Sequence, residues 1–130
     1  MHLIFGGAYQ GKLDYAKERY QLKEQDIFFC SAEEESAGPY LDFTKKAVYR
    51  LEEFVLSCVR CGMEAADYLE ANREKWSGTV FICTDISSGV VPFEQGLRAW
   101  REMVGRTLMY LGKDAEEVTR IFCGLPQKIK

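Results

Sequence analysis

The chain has 130 residues, 47% of them hydrophobic, and this length and composition suit one compact domain with its own core. Its formal net charge is −3 at pH 7 and its basic residues form no run beyond Lys45-Lys46, which argues against nucleic-acid binding. No apolar segment approaches the roughly 20 residues that span a bilayer, and Gly6-Gly7 interrupts the apolar start, which argues against a signal peptide. We therefore expect a single cytoplasmic domain over 1–130 that acts without nucleic acid or membrane.

The first half of the chain alternates between strand and helix patterns. "HLIF" at 2–5 predicts a strand, and "GKLDYAKERYQL" at 11–22 has the apolar spacing of an amphipathic helix. "DIFFCSA" at 26–32 predicts a buried strand, and "KKAVYRL" at 45–51 predicts a weaker one. The following segment, 52–76, predicts one long helix or two shorter helices split at Gly62.

The second half continues the same alternation. "GTVFICTD" at 78–85 predicts the clearest buried strand, and "ISSGVVP" after it predicts a loop. Residues 93–113 predict a helix with Gly96 and Gly105 as weak points, and "VTRIFCG" at 118–124 predicts the last strand. Strands that alternate with helices in this way predict βαβ units, and hence a three-layer α/β fold whose mainly parallel sheet has helices on both faces.

Five cysteines, an odd number, favour packing over disulfide formation. Cys30, Cys83 and Cys123 lie in or at the end of apolar strand patterns and are interpreted as small buried hydrophobes. Cys58 and Cys61 form a CxxC inside a predicted helix. A redox site would need a strand just before the first cysteine, and a zinc site would need a second ligand pair, so we favour helix packing with metal or redox chemistry as the alternative.

The segment "GGAYQGKL" at 6–13 has the spacing of a phosphate-binding loop, because Gly6, Gly11 and Lys12 match G-x-x-x-x-G-K. A strand pattern precedes the loop and a helix pattern follows it, so backbone N–H groups and the helix dipole would converge on an anion. The next position, where a Ser or Thr would ligate Mg²⁺, is Leu13. The loop alone therefore argues for phosphate binding more than for catalysis, and an ordinary glycine-rich turn is the alternative.

A second set of candidates follows the strand at 78–85. Ligands of open parallel sheets bind beyond the carboxyl ends of the strands, where Asp85 could orient a substrate hydroxyl or hold Mg²⁺. Ser87, Ser88 and Gly89 could line the same crevice. The alternative is that Asp85 is a turn residue bonded to the backbone of the two serines.

Several motifs taken together resemble the adenosylcobinamide kinase / adenosylcobinamide-phosphate guanylyltransferase family. That family opens with a strand and "GGARSGKS", and later has a strand ending in Asn-Glu, "VGxGIVP", "RxFRDxxGxxNQ" and "ADxVxxVxxGLPxxLK". Here "GGAYQGKL", "TDISSGVVP", "RAWREMVGR" and "DAEEVTRIFCGLPQKIK" fall on these motifs in order along the whole chain. Thr84 and Asp85 stand for the family's Asn-Glu, while Arg50, Glu52 and Glu53 lie near its acidic residue after strand three.

The resemblance implies a P-loop NTPase fold of the RecA-like kind, GTP or ATP as ligand with Mg²⁺ as a further ligand, a cobinamide-like acceptor and a homo-oligomer. The implied nucleotide-binding residues are 6–13 (Gly6, Gly7, Ala8, Tyr9, Gln10, Gly11, Lys12, Leu13) together with Ser87, Ser88 and Gly89. Lys12 and Asp85 are the expected catalytic residues, with Asp85 also the expected metal ligand.

The departures from the family pattern limit the expected chemistry. The segment after the second predicted strand contains no histidine, so we expect no guanylyl transfer through a histidyl intermediate. Leu108-Met109 replaces the family's Asn-Gln, and Leu13 replaces the loop hydroxyl. The sequence therefore predicts a divergent kinase-like transferase, with a degenerate, non-catalytic nucleotide-binding or regulatory protein as the alternative.

Overall fold

The computed structural model describes residues 1–33, 38–86 and 94–130, which form an α/β fold. Its strands are β1 His2–Gly6, β2 Ile27–Phe29, β3 Ala47–Tyr49, β4 Val80–Thr84, β5 Glu117–Phe122 and β6 Leu125–Lys128. The α-helices in this part of the chain are α1 Lys12–Tyr20, α2 Leu51–Arg60, α3 Ala65–Ala71 and α4 Gln95–Asp114. The strand order is β2-β3-β4-β1-β5-β6, and only the β5–β6 pair within this sheet is antiparallel. The expected mainly parallel sheet is confirmed.

Two apolar clusters cover opposite faces of the sheet. Successive residues of a strand point to opposite faces, so Leu3 and Ile4 of β1 belong to different clusters. The cluster that contains Ile4 packs against α1, whereas the cluster that contains Leu3 packs against α2, α3 and α4. Crossovers between parallel strands are right-handed, so the direction of a crossover along the sheet sets the face on which its helix lies. The crossover from β1 to β2 runs toward the β2 edge, whereas the crossovers from β3 to β4 and from β4 to β5 run the other way. Their helices therefore lie on opposite faces of the sheet.

The neighbouring strands β1 and β4 therefore continue into helices on different faces. These strands pair in register up to Gly6 and Thr84. Where the connections after two adjacent parallel strands leave in opposite directions, the chain leaves an open crevice at their carboxyl ends. This topology places the glycine loop, which follows β1, at the edge of such a crevice.

The structure contains the helices that the sequence predicts, and it decides between one helix and two in the segment 52–76. Residues 52–76 contain two helices, α2 and α3, separated at Gly62, whose φ of 72° is a left-handed conformation that suits glycine. Helix α4 continues through Gly96 and Gly105, so neither weak point ends it. Cys58 is buried in α2, as predicted for helix packing, and burial, followed by the charges of Cys61 and Glu64, raises its pKa to about 12. The same prediction is wrong for Cys61, which is exposed at the C-cap of α2.

Three predictions about the strands and their cysteines are wrong. β2 is an edge strand of three residues rather than a buried strand, and its last residue, Phe29, is exposed. "VTRIFCG" is not the last strand, because Leu125–Lys128 turns back as β6 beside β5. Cys123 lies in that turn and is exposed, whereas Cys30 and Cys83 are buried as expected. No helix of the described ranges combines the length and apolar character that crossing a membrane requires.

Candidate functional site

A crevice of about 640 Å³ opens at the carboxyl ends of the parallel strands, a volume typical of small-molecule sites. It extends from the glycine loop across β4 to the ends of β3 and β2. The described residues that line it are Ala8–Asp14, Phe29, Tyr49, Arg50, Glu52, Glu53, Thr84, Ile86 and Trp100. Of the loop residues predicted from the sequence, 8–13 line this crevice, whereas Gly6 and Gly7 are not among its lining residues.

The glycine loop ends at an uncapped helix N-terminus. Gly11 is the N-cap residue of α1, with a left-handed φ of 87°, and glycine has no side chain with which to cap the first turn. The first helical hydrogen bond runs from the Tyr15 N–H to the Gly11 carbonyl, at 3.0 Å. Amide N–H groups at a helix start have no partners within the helix, and the macrodipole adds positive potential there. This end of the crevice can therefore accept an anion.

Lys12 is the buried cation of the crevice. Its side chain turns back into the loop, where Nζ donates a hydrogen bond to the Gly7 carbonyl oxygen at 2.6 Å. Burial lowers the pKa of Lys12, and the nearby charges of Glu52 and Cys83 act in the opposite direction. A buried ammonium bonded to a carbonyl gains from an anionic partner. A phosphate oxygen entering beside Gly7 would supply that partner.

The loop is held against the end of β5 by close backbone contacts. A side chain at Gly6 would place its Cβ 2.4 Å from the Ile121 carbonyl oxygen, so this position requires glycine. The Gln10 Oε1 atom accepts a hydrogen bond from the Cys123 N–H at 2.5 Å, and the Gln10 carbonyl accepts one from the Gly124 N–H at 3.0 Å. The turn between β5 and β6 therefore holds the glycine loop at Gln10.

Glu52 is a buried carboxylate on the other side of the crevice. It lies in the first turn of α2, directly after β3, and Oε1 accepts a hydrogen bond from the Thr84 N–H at 2.9 Å. Oε2 lies 4.0 Å from Arg50 Nε, and the Glu52 carbonyl accepts a hydrogen bond from Trp100 Nε1 at 2.8 Å. These contacts hold a negative charge at the end of β4, close enough to influence Lys12.

Two non-glycine residues of the crevice lining, Tyr9 and Arg50, have left-handed backbone conformations. Four non-glycine residues of the described chain have positive φ, and three of them, Tyr9, Arg50 and Cys123, lie in the connections after β1, β3 and β5. A left-handed conformation at a non-glycine residue costs free energy and is frequent at ligand sites. The strain supports the interpretation of this edge as functional.

The other predicted site residues have different outcomes. Asp85 is half-buried, and its backbone N–H donates to the Gly6 carbonyl at 2.8 Å, but the lining of the crevice beside it consists of Thr84 and Ile86. Tyr9 projects fully into solvent, and Leu13 packs partly against the apolar cluster under α1 while bordering the crevice. Ser87, Ser88 and Gly89 lie outside the described residues.

The described residues contain no cluster of side chains that would support the predicted metal site. Within 1–33, 38–86 and 94–130, no three His, Cys, Asp or Glu side chains are grouped so that they could hold a metal ion. Carboxylates at the crevice itself come from Glu52, Glu53 and Asp14. The assignment of a metal to Asp85 stays a prediction.

Three residues of the crevice lining, Glu52, Phe29 and Tyr49, are not among the site residues predicted from the sequence. Glu52 was one of three charged residues after the third strand that the motifs did not align. Phe29 and Tyr49 are the last residues of β2 and β3 and are register partners, so both reach the crevice edge. An aromatic residue at the carboxyl end of two successive strands was the available signal.

Comparison with known proteins adds no assignment. No protein-family model matches the sequence, and a search of curated proteins finds no match. Function is therefore inferred from the chemistry of the crevice.

Proposed function

We propose that this chain is a kinase-like phosphotransferase of the P-loop type, related to the adenosylcobinamide kinase / guanylyltransferase family. It would transfer the terminal phosphoryl group of ATP or GTP to a hydroxyl of a cobinamide-like alcohol. The observation that supports this most is the buried Lys12 within a glycine loop, facing a buried carboxylate, Glu52. The β1–loop–α1 unit at the switch point of a parallel sheet supports a RecA-like P-loop fold.

The loop would bind the phosphate chain. The backbone N–H groups at the start of α1 and the Lys12 ammonium would contact phosphate oxygens, with Lys12 exchanging the Gly7 carbonyl for a charged partner. Charge on the phosphoryl oxygens rises in the transition state, so these preorganised donors would stabilise it more than the ground state.

Glu52 would act as the general base. The acceptor hydroxyl oxygen attacks the terminal phosphorus, its proton passes to a Glu52 carboxylate oxygen, and the bond from phosphorus to the bridging oxygen breaks. The products are the phosphorylated alcohol and the nucleoside diphosphate. The Thr84 N–H would hold the carboxylate in place through Oε1. This gives Glu52 the role that the sequence assigned to Asp85.

Mg²⁺ would enter the crevice as a complex with the nucleotide. Mg²⁺ is commonly held by one or two carboxylates, substrate phosphates and water, and Glu52 and Glu53 are the carboxylates at this part of the lining. When bound with the nucleotide, it would neutralise phosphate charge. Leu13 contributes no ligand, so the ion would depend on phosphate oxygens and water for most of its ligands.

Calorimetric titration of ATP and GTP, with and without Mg²⁺, tests the binding step. We expect micromolar binding by the protein and loss of binding in Lys12→Met. Lys17→Met is the matched control, because Lys17 lies on the same helix and pairs with Glu24 at the surface. Equal affinity in Lys12→Met would contradict the proposal.

Nucleoside diphosphate release in the presence of cobinamide tests the chemical step. Glu52→Gln keeps an oxygen acceptor for the Thr84 N–H and should retain nucleotide binding, but turnover should fall by about 10²- to 10⁴-fold, as expected for loss of a general base. Glu64→Gln is the control, because that side chain pairs with Arg106 at 3.0 Å and is not among the residues that line the crevice. Full turnover in Glu52→Gln would remove Glu52 from the mechanism.

Leu13 favours a second candidate, a non-catalytic nucleotide-binding or regulatory protein. Such a protein would bind ATP or GTP through Lys12 without turnover. If the parent protein is inactive and Leu13→Ser gains Mg²⁺-dependent transfer, the second candidate is correct. If the parent protein already turns over and Leu13→Ser changes little, the kinase proposal stands.

A further inference from the structure

A single residue, Arg50, joins the end of β3 to the start of α2. Tyr49 is the last residue of the strand and Leu51 is the first residue of the helix. Arg50 has a left-handed backbone conformation, with φ 61° and ψ 48°, which is unfavourable for a residue with a side chain. In α/β-hydrolases a strained strand-to-helix turn presents the catalytic nucleophile at the end of the sheet. Here a turn of this kind presents a guanidinium to the crevice, which Arg50 lines.

The charges of the crevice give this guanidinium a use. Among the described residues that line it, the cations are Lys12 and Arg50, and the carboxylates are Asp14, Glu52 and Glu53. A nucleoside triphosphate would add several negative charges to this set. Lys12 would meet the phosphates from the side of the glycine loop. Within the described lining, positive charge on the opposite side can come only from Arg50.

The present contacts of Arg50 leave its side chain available for a ligand. Nη2 lies 3.1 Å from a Glu53 carboxylate oxygen, Nε lies 4.0 Å from Glu52 Oε2, and the side chain is 51% exposed. Ion pairs between exposed side chains contribute little stability, because water screens them. A phosphoryl group offers several charged oxygens to which the planar guanidinium can bond through two N–H groups at once. Exchange of Glu53 for phosphate is therefore favourable.

The order of the strands places Arg50 beside the group that would be transferred. The Glu52 carboxylate is fixed at the end of β4 by the Thr84 N–H, and β4 lies between β1 and β3. A phosphoryl group held between Lys12 and Glu52 would thus lie between the glycine loop and the turn after β3. A change of side-chain rotamer would bring the Arg50 guanidinium to it without movement of the backbone.

We propose that Arg50 is a catalytic residue whose guanidinium leaves Glu53 when the nucleotide binds and contacts the transferred phosphoryl group in the transition state. This inference depends on the proposed phosphotransferase function. Charge grows on the phosphoryl oxygens during transfer, so the contact strengthens in the transition state. It also supplies positive charge in a chain whose loop has Leu13 in place of a hydroxyl residue.

The test compares the binding of ADP to the full chain with the binding of ADP plus aluminium fluoride, which mimics the transferred phosphoryl group, both measured with Mg²⁺. The parent protein should bind the second combination more tightly. Arg50→Asn removes the charge and keeps a side chain that tolerates the left-handed conformation. The Kd of ADP should stay the same. The Kd of the aluminium fluoride complex should rise and kcat should fall, each by about 10³-fold, as for other arginines that contact this group.

Two more variants show that the effect belongs to the guanidinium at this position. Arg106→Gln is the matched control, because Arg106 is also 51% exposed and pairs with a glutamate, Glu64, at 3.0 Å, but does not line the crevice. It should change neither Kd. Arg50→Gly also suits the left-handed backbone and should reproduce Arg50→Asn, so that poor folding of one variant does not remove the test.

Three results would overturn the inference while nucleotide binding stands: an unchanged Kd of the aluminium fluoride complex in both Arg50 variants, equal weakening of ADP and of the complex, or the same loss in Arg106→Gln. Equal weakening would mean that Arg50 binds the nucleotide without favouring the transition state. Failure of the parent protein to bind ADP, measured first, would refute the proposed function and the inference together. Selective loss of the aluminium fluoride complex in the Arg50 variants supports the inference.

Discussion

At Gly6 the absence of a side chain lets the end of β1 lie directly against β5. The hypothetical Cβ would meet the Ile121 carbonyl oxygen at 2.4 Å, and neither backbone can withdraw, since both strands are paired in the sheet. The Gly6 carbonyl also accepts a hydrogen bond from the Asp85 N–H, which connects β1 to the chain after β4. Gly7, by contrast, is exposed, and its nearest neighbour would be the flexible Gln10 side chain at 3.6 Å.

Gly6→Ala should therefore lower the free energy of unfolding by about 1–3 kcal/mol, as expected for overpacking against a rigid neighbour. Gly7→Ala should change it by less than about 1 kcal/mol. Urea denaturation of the two variants provides the measurement. Similar losses in both variants would mean that the cost comes from the loop conformation and not from contact with Ile121.

At the scale of elements, the glycine loop depends on a hairpin that follows it by more than 100 residues in the sequence. The β5–β6 turn contains Cys123 and Gly124, both with positive φ, and each donates its N–H to Gln10. Only the Cys123 bond uses the Gln10 side chain, because Gly124 bonds to the backbone carbonyl. The two contacts can therefore be separated by substitution.

Gln10→Leu should speed hydrogen exchange of the Cys123 amide by about two- to tenfold, which corresponds to loss of one ordinary hydrogen bond. The Gly124 amide should keep its protection, because its acceptor remains. Amide exchange followed by NMR distinguishes the two sites. Equal acceleration at Gly124 would show that the whole loop has moved away from the hairpin.

At the scale of the whole molecule, the ionisation of one buried group connects stability to pH. Burial lowers the pKa of Lys12 in the folded state below the ordinary value of 10.5. Between the lowered value and 10.5, the unfolded chain binds more protons at this position than the folded chain does. The contribution of Lys12 to the free energy of unfolding therefore rises with pH in that window and is least favourable below it.

Lys12→Met removes this contribution. Relative to the variant, the parent protein should gain stability as the pH rises from 7 toward 10.5, and the measurement is urea unfolding of both proteins across this range. A stability difference that stays constant with pH would show that the Lys12 ammonium is solvated in the folded state.

The sequence by itself determined the order and type of most elements, because burial imposes a period of about 3.6 on helices and continuous apolar runs on parallel strands. It also identified the glycine loop and Lys12, since these residues are adjacent in the chain and their chemistry is local. β6 escaped prediction because "LPQK" is exposed on all four residues and has no apolar pattern. The exposure of Phe29 was missed because an apolar run does not reveal that its strand lies at the sheet edge.

Only the tertiary structure decided which distant residues share the crevice. Glu52, Phe29 and Trp100 share one crevice with the loop because the sheet places β4, β3 and β2 in that order beside β1, and strand order is set by packing across the entire sheet rather than by any local pattern. The hydrogen bonds from Cys123 and Gly124 to Gln10 also depend on strand order, because they form only where β5 pairs with β1. The glycine loop can thus be predicted from adjacent residues, whereas the residues that share its crevice are brought together by the fold.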